Sequence, residues 1–591
     1  MANVQISEPI KQSATNYSPR LWPGVVGGIL LLVIAYVAPA VNSEWSIVGL
    51  LGGLGCAALV FLWWLFFSRV PWFERLAVVV LIVIALLVTS RFIHISIAEG
   101  AQGMLFPFMA VPGVALALVV SAVVGKNLTS GRRLAVMAVL IGLASGVWTL
   151  ARTGGFTGGF EQELHWRWTP TPEDLLLAKV GNQPSKLAPP AKAYSTTPVV
   201  VTPAEWPGFR GPNRDGIIHG LRIETDWTKS PPVELWRRAV GPGWSSFAVQ
   251  GDRVYTQEQR GEEEIVACYD LKTGEPIWMH SDAARFWEPA GGAGPRGTPT
   301  LSRGRVFTLG ATGIINALDA TSGAMIWSHN AATDTEAKSP GWGFCGSPLV
   351  VDDLVIVAAS GRLAAYDFAT GDLRWKGPTG VGGGYSSPHL LTIAGVPQVL
   401  LMTSAGAISV SPTDGKLLWK NESPTGSRII QPNLVSENEF LMSTGEEGMG
   451  GAGVRRVAVN QSGSEWTTEE RWSSGALKPN FNDLVVHKGF AYGFDGRLLG
   501  CIDLSNGDRK WKGGRYGNGQ LVLLPEQDLL LVLSEDGRLA IVSATPGEFV
   551  ELARFPGIKG KTWNHPVLIG DHLLVRNAEE MAAFRLSVQS R

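Results

Sequence analysis

This chain of 591 residues is short of several things, and each shortage excludes something. It has four cysteines: Cys56 lies in an apolar run, Cys268 and Cys501 each stand two residues before an Asp of a recurring phrase, and Cys345 is left over. Equivalent places in well-separated repeats are too far apart to bridge, so a disulfide framework is excluded. No two cysteines are adjacent, and there is no Cys-x-x-Cys-His, so no covalently attached haem is expected. Lys plus Arg (50) against Asp plus Glu (51) leaves a net charge of −1, which excludes a general nucleic-acid binder. Residues 1–20 are polar and no apolar run begins before Leu21, so no cleavable signal is expected.

Asp, Glu and Lys are missing from five apolar runs at about 22–41, 46–67, 76–95, 104–124 and 133–151. Each has about the 20 residues that a bilayer-crossing helix needs. Arg91 and His94, near the end of the third, are the ionisable candidates there and read either as side chains that reach the interface or as a quinone or proton site. Basic residues mark alternate connections: Lys11 and Arg20 before the first run, Arg69 and Arg75 after the second, Lys126, Arg132 and Arg133 after the fourth. The other two connections have none. The positive-inside rule therefore expects a cytoplasmic N-terminus (1–20), a five-helix transmembrane domain (21–151) and everything later outside. In a bacterium this means a multi-pass protein of the inner membrane with its second domain in the periplasm. Residues 152–204 carry seven prolines between Pro170 and Pro203 and read as a semi-extended tether, with a short helix around Glu173–Val180.

Tryptophan and glycine are plentiful, at 22 and 71. They recur in a phrase whose clearest copy is Asn316-Ala-Leu-Asp-Ala-Thr-Ser-Gly-Ala-Met-Ile-Trp327. An Asp that bonds its own backbone and a Gly with positive φ close a hairpin between two strands. Further copies end on Trp278, Trp375, Trp419 and Trp511; Trp278 to Trp327 is 49 residues and Trp327 to Trp375 is 48. A period in the forties built of strands and turns is the signature of a β-propeller. Eight inner strands are expected, beginning near Ser246, Thr298, Ser347, Ser387, Pro432, Asp483, Gln520 and His565. The last blade runs out of chain at Leu586, and Val233–Arg238, with Trp236, is expected to supply its outer strand. The fold class is thus an α-helical membrane domain followed by an all-β eight-bladed propeller at 205–591, opening on a Gly/Pro-rich clamp in which Arg210, Arg214 and Asp215 could pair among themselves.

The phrase resembles the pyrroloquinoline-quinone (PQQ)-type repeat, Ala-x-Asp-x-x-Thr-Gly-x-x-x-Trp, over about 206–586. Ser411 and Asn460 depart from it at the Asp place, and blade seven has Ser543 and no Trp. The resemblance implies one of two functions. One is that of the BamB-like branch: a scaffold or ligand-binding module of the cell envelope, with an envelope protein as partner and no cofactor. The alternative is a quinoprotein dehydrogenase that oxidises alcohols or sugars with PQQ and Ca²⁺ and passes electrons to membrane quinone. The lipid bilayer is a partner in both, nucleic acid in neither.

Loops entering the inner strands should line a central funnel. They place Trp244, Arg296, Trp342, Tyr385, Arg428 and Trp563 there, arginines and flat aromatics that would suit a planar polycarboxylate. Asn482, Asp483 and Glu288 are oxygen ligands of the kind Ca²⁺ takes, Glu288 on a loop whose direction the sequence leaves open, and Asp483 is the candidate catalytic base. Against an enzyme stand the lack of adjacent cysteines, the compactness of the repeats and the lack of a haem motif.

Overall fold

The computed structural model describes residues 20–42, 45–158, 161–180, 203–423, 429–445 and 453–589. The chain divides into two compact units, Met1–Thr169 and Pro170–Arg591.

In the first unit five helices are long and apolar enough to cross a membrane: Trp22–Val41, Ser46–Phe67, Trp72–Thr89, Leu105–Val124 and Ser130–Leu150. Their large side chains face outward, as Leu51, Phe73, Leu87 and Leu143 do, the reverse of a water-soluble bundle. Small residues let the backbones close up: a Cβ on Gly53 would lie 2.9 Å from Cβ of Ala35. Two helices begin earlier than the apolar runs, at Trp72 and Ser130, which brings acidic Glu74 into the third. There it pairs with Arg133 at 2.9 Å, both side chains almost fully buried, and accepts a bond from Ser130 Oγ. The stretch after residue 151, read from the sequence as a tether, begins with regular structure. Ala151–Phe156 and Gln162–Trp166 form an antiparallel hairpin. Residues 181–202, and 1–19 at the N-terminus, lie outside the described residues.

The second unit opens with a helix, Pro172–Val180. Thr171 and Asp174 cap it reciprocally, each side-chain oxygen accepting the other's backbone N–H. Glu173 holds it on blade 1, binding Arg285 at 2.8 Å and accepting the N–H of Gly261. Eight four-stranded antiparallel sheets follow. Their inner strands are Ala248–Gln250, Thr300–Ser302, Leu349–Val351, His389–Ile393, Asn433–Ser436, Val485–His487, Gln520–Leu524 and Val567–Ile569. Blade 8 takes its outer strand from Val233–Ala239, which pairs with Glu580–Arg585 and closes the ring.

The repeat phrase has a physical reason in the junctions between blades. Asp319 Oδ1 accepts the N–H groups of Thr321 and Ser322 and shapes the turn. A bulge between Ala317 and Leu318 offsets the pairing just before Trp327. The indole then reaches the next blade. Trp236, Trp278, Trp327, Trp375, Trp472 and Trp511 each donate Nε1–H to a turn carbonyl there, of Leu271, Ala320, Phe368, Pro412, Leu504 and Thr545 respectively. In five of these junctions, all but that of Trp511, the same ring also lies on that turn's glycine: a Cβ on Gly371 would sit 2.7 Å from the ring of Trp327. Glycine is therefore required twice, for φ +81 and for this approach. Trp419 is the exception, donating within its own blade to Gln398.

Candidate functional site: a funnel closed at one end

Five residues at the inner-strand entries precede proline, Thr298, Ser347, Ser387, Gln431 and His565. Proline holds the residue before it extended, which frees polar groups to bond sideways between blades. The result is a continuous belt. Ser246 N donates to Thr298 Oγ1, Thr298 N to Ser347 Oγ, and Ser347 N to Ser387 Oγ. Gln431 reaches back to Ser387 O, and Ser443 Oγ donates to Pro479 O. Asp483 N donates to Gln520 Oε1, Gln520 to Trp563 O, and Ser246 Oγ to His565 O, completing the circle.

Residues 206–218 plug the channel on one side of this belt and touch every blade. Trp206 bridges to Val249 of blade 1 and Pro207 O accepts Leu301 N of blade 2. Arg214 donates to Ser347 O and Pro348 O of blade 3, and Asn213 O contacts His389 of blade 4 at 3.2 Å. Arg210 donates to Asn433 Oδ1 of blade 5 and Leu484 O of blade 6. Ile217 bridges to Leu523 of blade 7, and Phe209 meets His565 of blade 8 edge-on at 5.1 Å. Arg210 and Arg214 both adopt positive φ, 61° and 56°, a strained backbone that these contacts hold. The three charged residues here form no ion pair with one another: Arg210 Nη2 donates to the backbone carbonyl of Asp215 at 3.0 Å, while its ion pair is with Asp483, Nε to Oδ2 at 3.0 Å, because the blade 6 entry brings that carboxylate under the plug.

Asp483 is 2% exposed, and its Oδ2 also lies 2.8 Å from Nε2 of His565. Burial pushes its carboxyl up, but Arg210 and His565 outweigh that and hold it below the usual carboxylate range. Burial next to Arg214 and Arg210 pushes His389 down to about 3, so it is neutral. Asn482, also buried, turns Oδ1 to the N–H of Asn480. Ca²⁺ does not fit at Asn482 and Asp483 as they stand: one carboxylate faces a guanidinium and an imidazole, and the amide oxygen is engaged. Among the described residues, no group of three or more His, Cys, Asp or Glu could hold a metal ion.

On the other side of the belt the funnel is open and aromatic. Trp563 sits at its centre, 4.6 Å from Trp244, 5.1 Å from Phe481 and 6.4 Å from Trp342 between ring centroids. Trp342 is 39% exposed. The small hairpin Trp287–Glu288 and Gly292–Ala293 crosses the mouth. Trp244 Nε1 donates to Gly291 O at 2.8 Å, and Arg296 donates to the carbonyls of Gly292 and Gly294. Arg296 Nη2 is 3.3 Å from Glu288 Oε1, while the same carboxylate caps the N–H groups of Ala290 and Gly291. Burial pushes Glu288 up and Arg296 down, each tempered by the other. Burial also pushes the Cys345 thiol up to about 12, so it stays protonated beside them.

Of the residues singled out in the sequence, Trp244, Arg296, Trp342 and Trp563 therefore meet at the mouth. Tyr385 lies beside the same loop, its hydroxyl 4.0 Å from where a Cβ of Gly341 would be. Asn482 and Asp483 belong to the belt and plug, and Arg428 lies outside the described residues. Three mouth residues escaped sequence reading: Phe481, Lys561 and Glu535, which accepts Trp563 Nε1–H at 2.8 Å. Lys561 and Phe481 stand two residues from Trp563 and Asp483, the one available signal.

Residues 262–513 match the family described as outer membrane protein assembly factor BamB, a PQQ-type repeat family. The chain is similar to BamB of Burkholderia pseudomallei, 29% identical over 384 residues, which is 60% of this chain and 89% of that protein. It is similar to BamB of Shewanella oneidensis, 24% identical over 367 residues, 58% of this chain and 86% of that one. Among solved structures, BamB from Moraxella catarrhalis covers 60% of this chain and 99% of its own at 16% identity and a TM-score of 0.43. Quinohemoprotein alcohol dehydrogenase from Comamonas testosteroni covers 71% and 85% at 13% identity and a TM-score of 0.46.

Proposed function

Because the propeller is built of PQQ-like repeats of the BamB kind, we propose that the protein is a membrane-anchored scaffold of the bacterial envelope whose open funnel mouth recognises another envelope protein. The observation that carries this reading is the place of Asp483. The candidate base is sealed between Arg210 and His565, whereas the exposed side of the belt presents indole faces. A base must reach its proton within hydrogen-bond distance or through one water, and rings at a rim are surfaces for recognition. The basic connections Arg69–Arg75 and Lys126–Arg133 support an inner-membrane protein with a cytoplasmic N-terminus and a periplasmic propeller.

The alternative is oxidation of an alcohol or sugar with PQQ and Ca²⁺, electrons passing to membrane quinone. It would need Asp483 released from both partners and Arg296 from Glu288. Dye reduction by the full chain in detergent, supplied with PQQ, Ca²⁺ and a panel of alcohols and aldoses, separates the two. The scaffold reading expects no turnover. Turnover that vanishes in Asp483→Asn contradicts it.

A further inference from the structure

The ammonium of Lys561 lies 4.8 Å from the ring centroid of Trp563 and 5.6 Å from that of Trp244. It also donates to Ala290 O at 3.4 Å. Both indole N–H groups are spent on acceptors at the ring edges, Gly291 O for Trp244 and Glu535 Oε1 for Trp563. What these two rings offer the funnel is therefore their faces, where the quadrupole is negative and attracts a cation. The bond to a carboxylate makes the Trp563 ring more electron-rich still. Phe481 and Trp342 complete the wall around Trp563.

We propose that this aromatic cage is a binding site for an alkylammonium group, such as a lysine side chain of a partner protein, and that Lys561 holds the place in the free protein. The proposal rests on the reading of the mouth as a recognition surface and names the chemistry of what enters. Carboxylates lie close to these rings: among the described residues, Glu288 is 3.3 Å from Arg296 Nη2 and Glu535 accepts the Trp563 Nε1–H. An incoming ammonium would meet the faces that Lys561 now covers, and the displaced lysine would regain the rotamer freedom of a four-carbon stem. An anion would instead have to pass the same carboxylates.

The test is saturation-transfer NMR on the full chain in detergent, with Nα-acetyl-lysine amide as probe and Nα-acetyl-norleucine amide as its uncharged control. Lys561→Ala is expected to bind the lysine probe at least fivefold tighter than the native protein, because the internal competitor is gone, and to leave the norleucine probe unbound. Trp563→Ala should abolish the signal, and Trp563→Phe, which keeps a ring and the packing, should weaken it severalfold. Equal affinity in native and Lys561→Ala protein, equal binding of the two probes, or unchanged binding in both Trp563 variants overturns the proposal. If a partner is captured at the mouth while neither probe binds, the scaffold reading stands and the cage alone is wrong.

Discussion

Nε of Arg210, in the segment that precedes the first blade, lies 3.0 Å from Oδ2 of Asp483, at the entry to the sixth. Neither side chain reaches solvent. Breaking a buried pair strands the remaining charge, which costs about 3–5 kcal/mol. Arg210→Met and Asp483→Asn are each expected to lower the melting temperature of the propeller, followed by its tryptophan signal in detergent. The double variant should lose less than the two together, because the stranded charge is then gone. Additive losses would mean that the pair does not hold the plug.

The junction chemistry separates two demands on glycine. Gly371 has φ +81 and meets the ring of Trp327, whereas Gly380 has φ +74 and nothing within 4 Å of its would-be Cβ. Gly380→Ala should show the conformational penalty alone, about 1 kcal/mol. Gly371→Ala adds the displacement of an indole and should cost about 2–4 kcal/mol. Equal losses in chemical unfolding would remove the stacking explanation.

His389 gives the plug a pH dependence. Its folded pKa is depressed to about 3, against 6.5 for the free group. Between those values the unfolded chain binds a proton that the folded chain does not, so stability falls as pH drops below 6.5. The loss at pH 5 is about 2 kcal/mol, from 1.36 kcal/mol per pH unit. Depressed Asp483 adds to the slope only below about pH 4, where unfolded aspartate takes up its proton. Glu264 opposes it: burial raises its pKa to about 7, so its contribution is present at low pH and lost as pH rises toward 7. The His389→Gln variant should therefore lose less stability than the native protein between pH 7 and 5, measured by urea midpoints. An unchanged difference would show that His389 takes up its proton in the fold.

Alkaline phosphatase fusions check the orientation. Fusions at residues 70 and 128 should be inactive and one at 160 active, since phosphatase folds only outside the cytoplasm. Activity at either of the first two, or none at the third, would contradict it.

The sequence disclosed the propeller because its junctions are local: Asp319, Gly323 and Trp327 lie within one hairpin, and each needs a particular residue type for a backbone reason. Helix lengths were less legible. Glu74 looks like a loop residue until Arg133, 59 positions later, neutralises it. The plug was least legible, since Arg210 finds Asn433 and Leu484 at separations of 223 and 274 residues. For the same reason Asp483 read as an available carboxylate, when a distant arginine and histidine already hold it. The mouth was read by residue type, which singled out Trp244, Arg296, Trp342 and Trp563 on their loops but not Lys561, two positions before Trp563.

The most direct test of the scaffold account is photo-crosslinking in the native cell, with a photoreactive residue placed at Trp342 in the mouth and, as control, at the exposed Lys272 in the outer turn of blade 1. The account expects a discrete adduct with one envelope protein from position 342, weakened by Trp563→Ala and absent from position 272. No adduct at 342, or the same adducts from both positions, would contradict it.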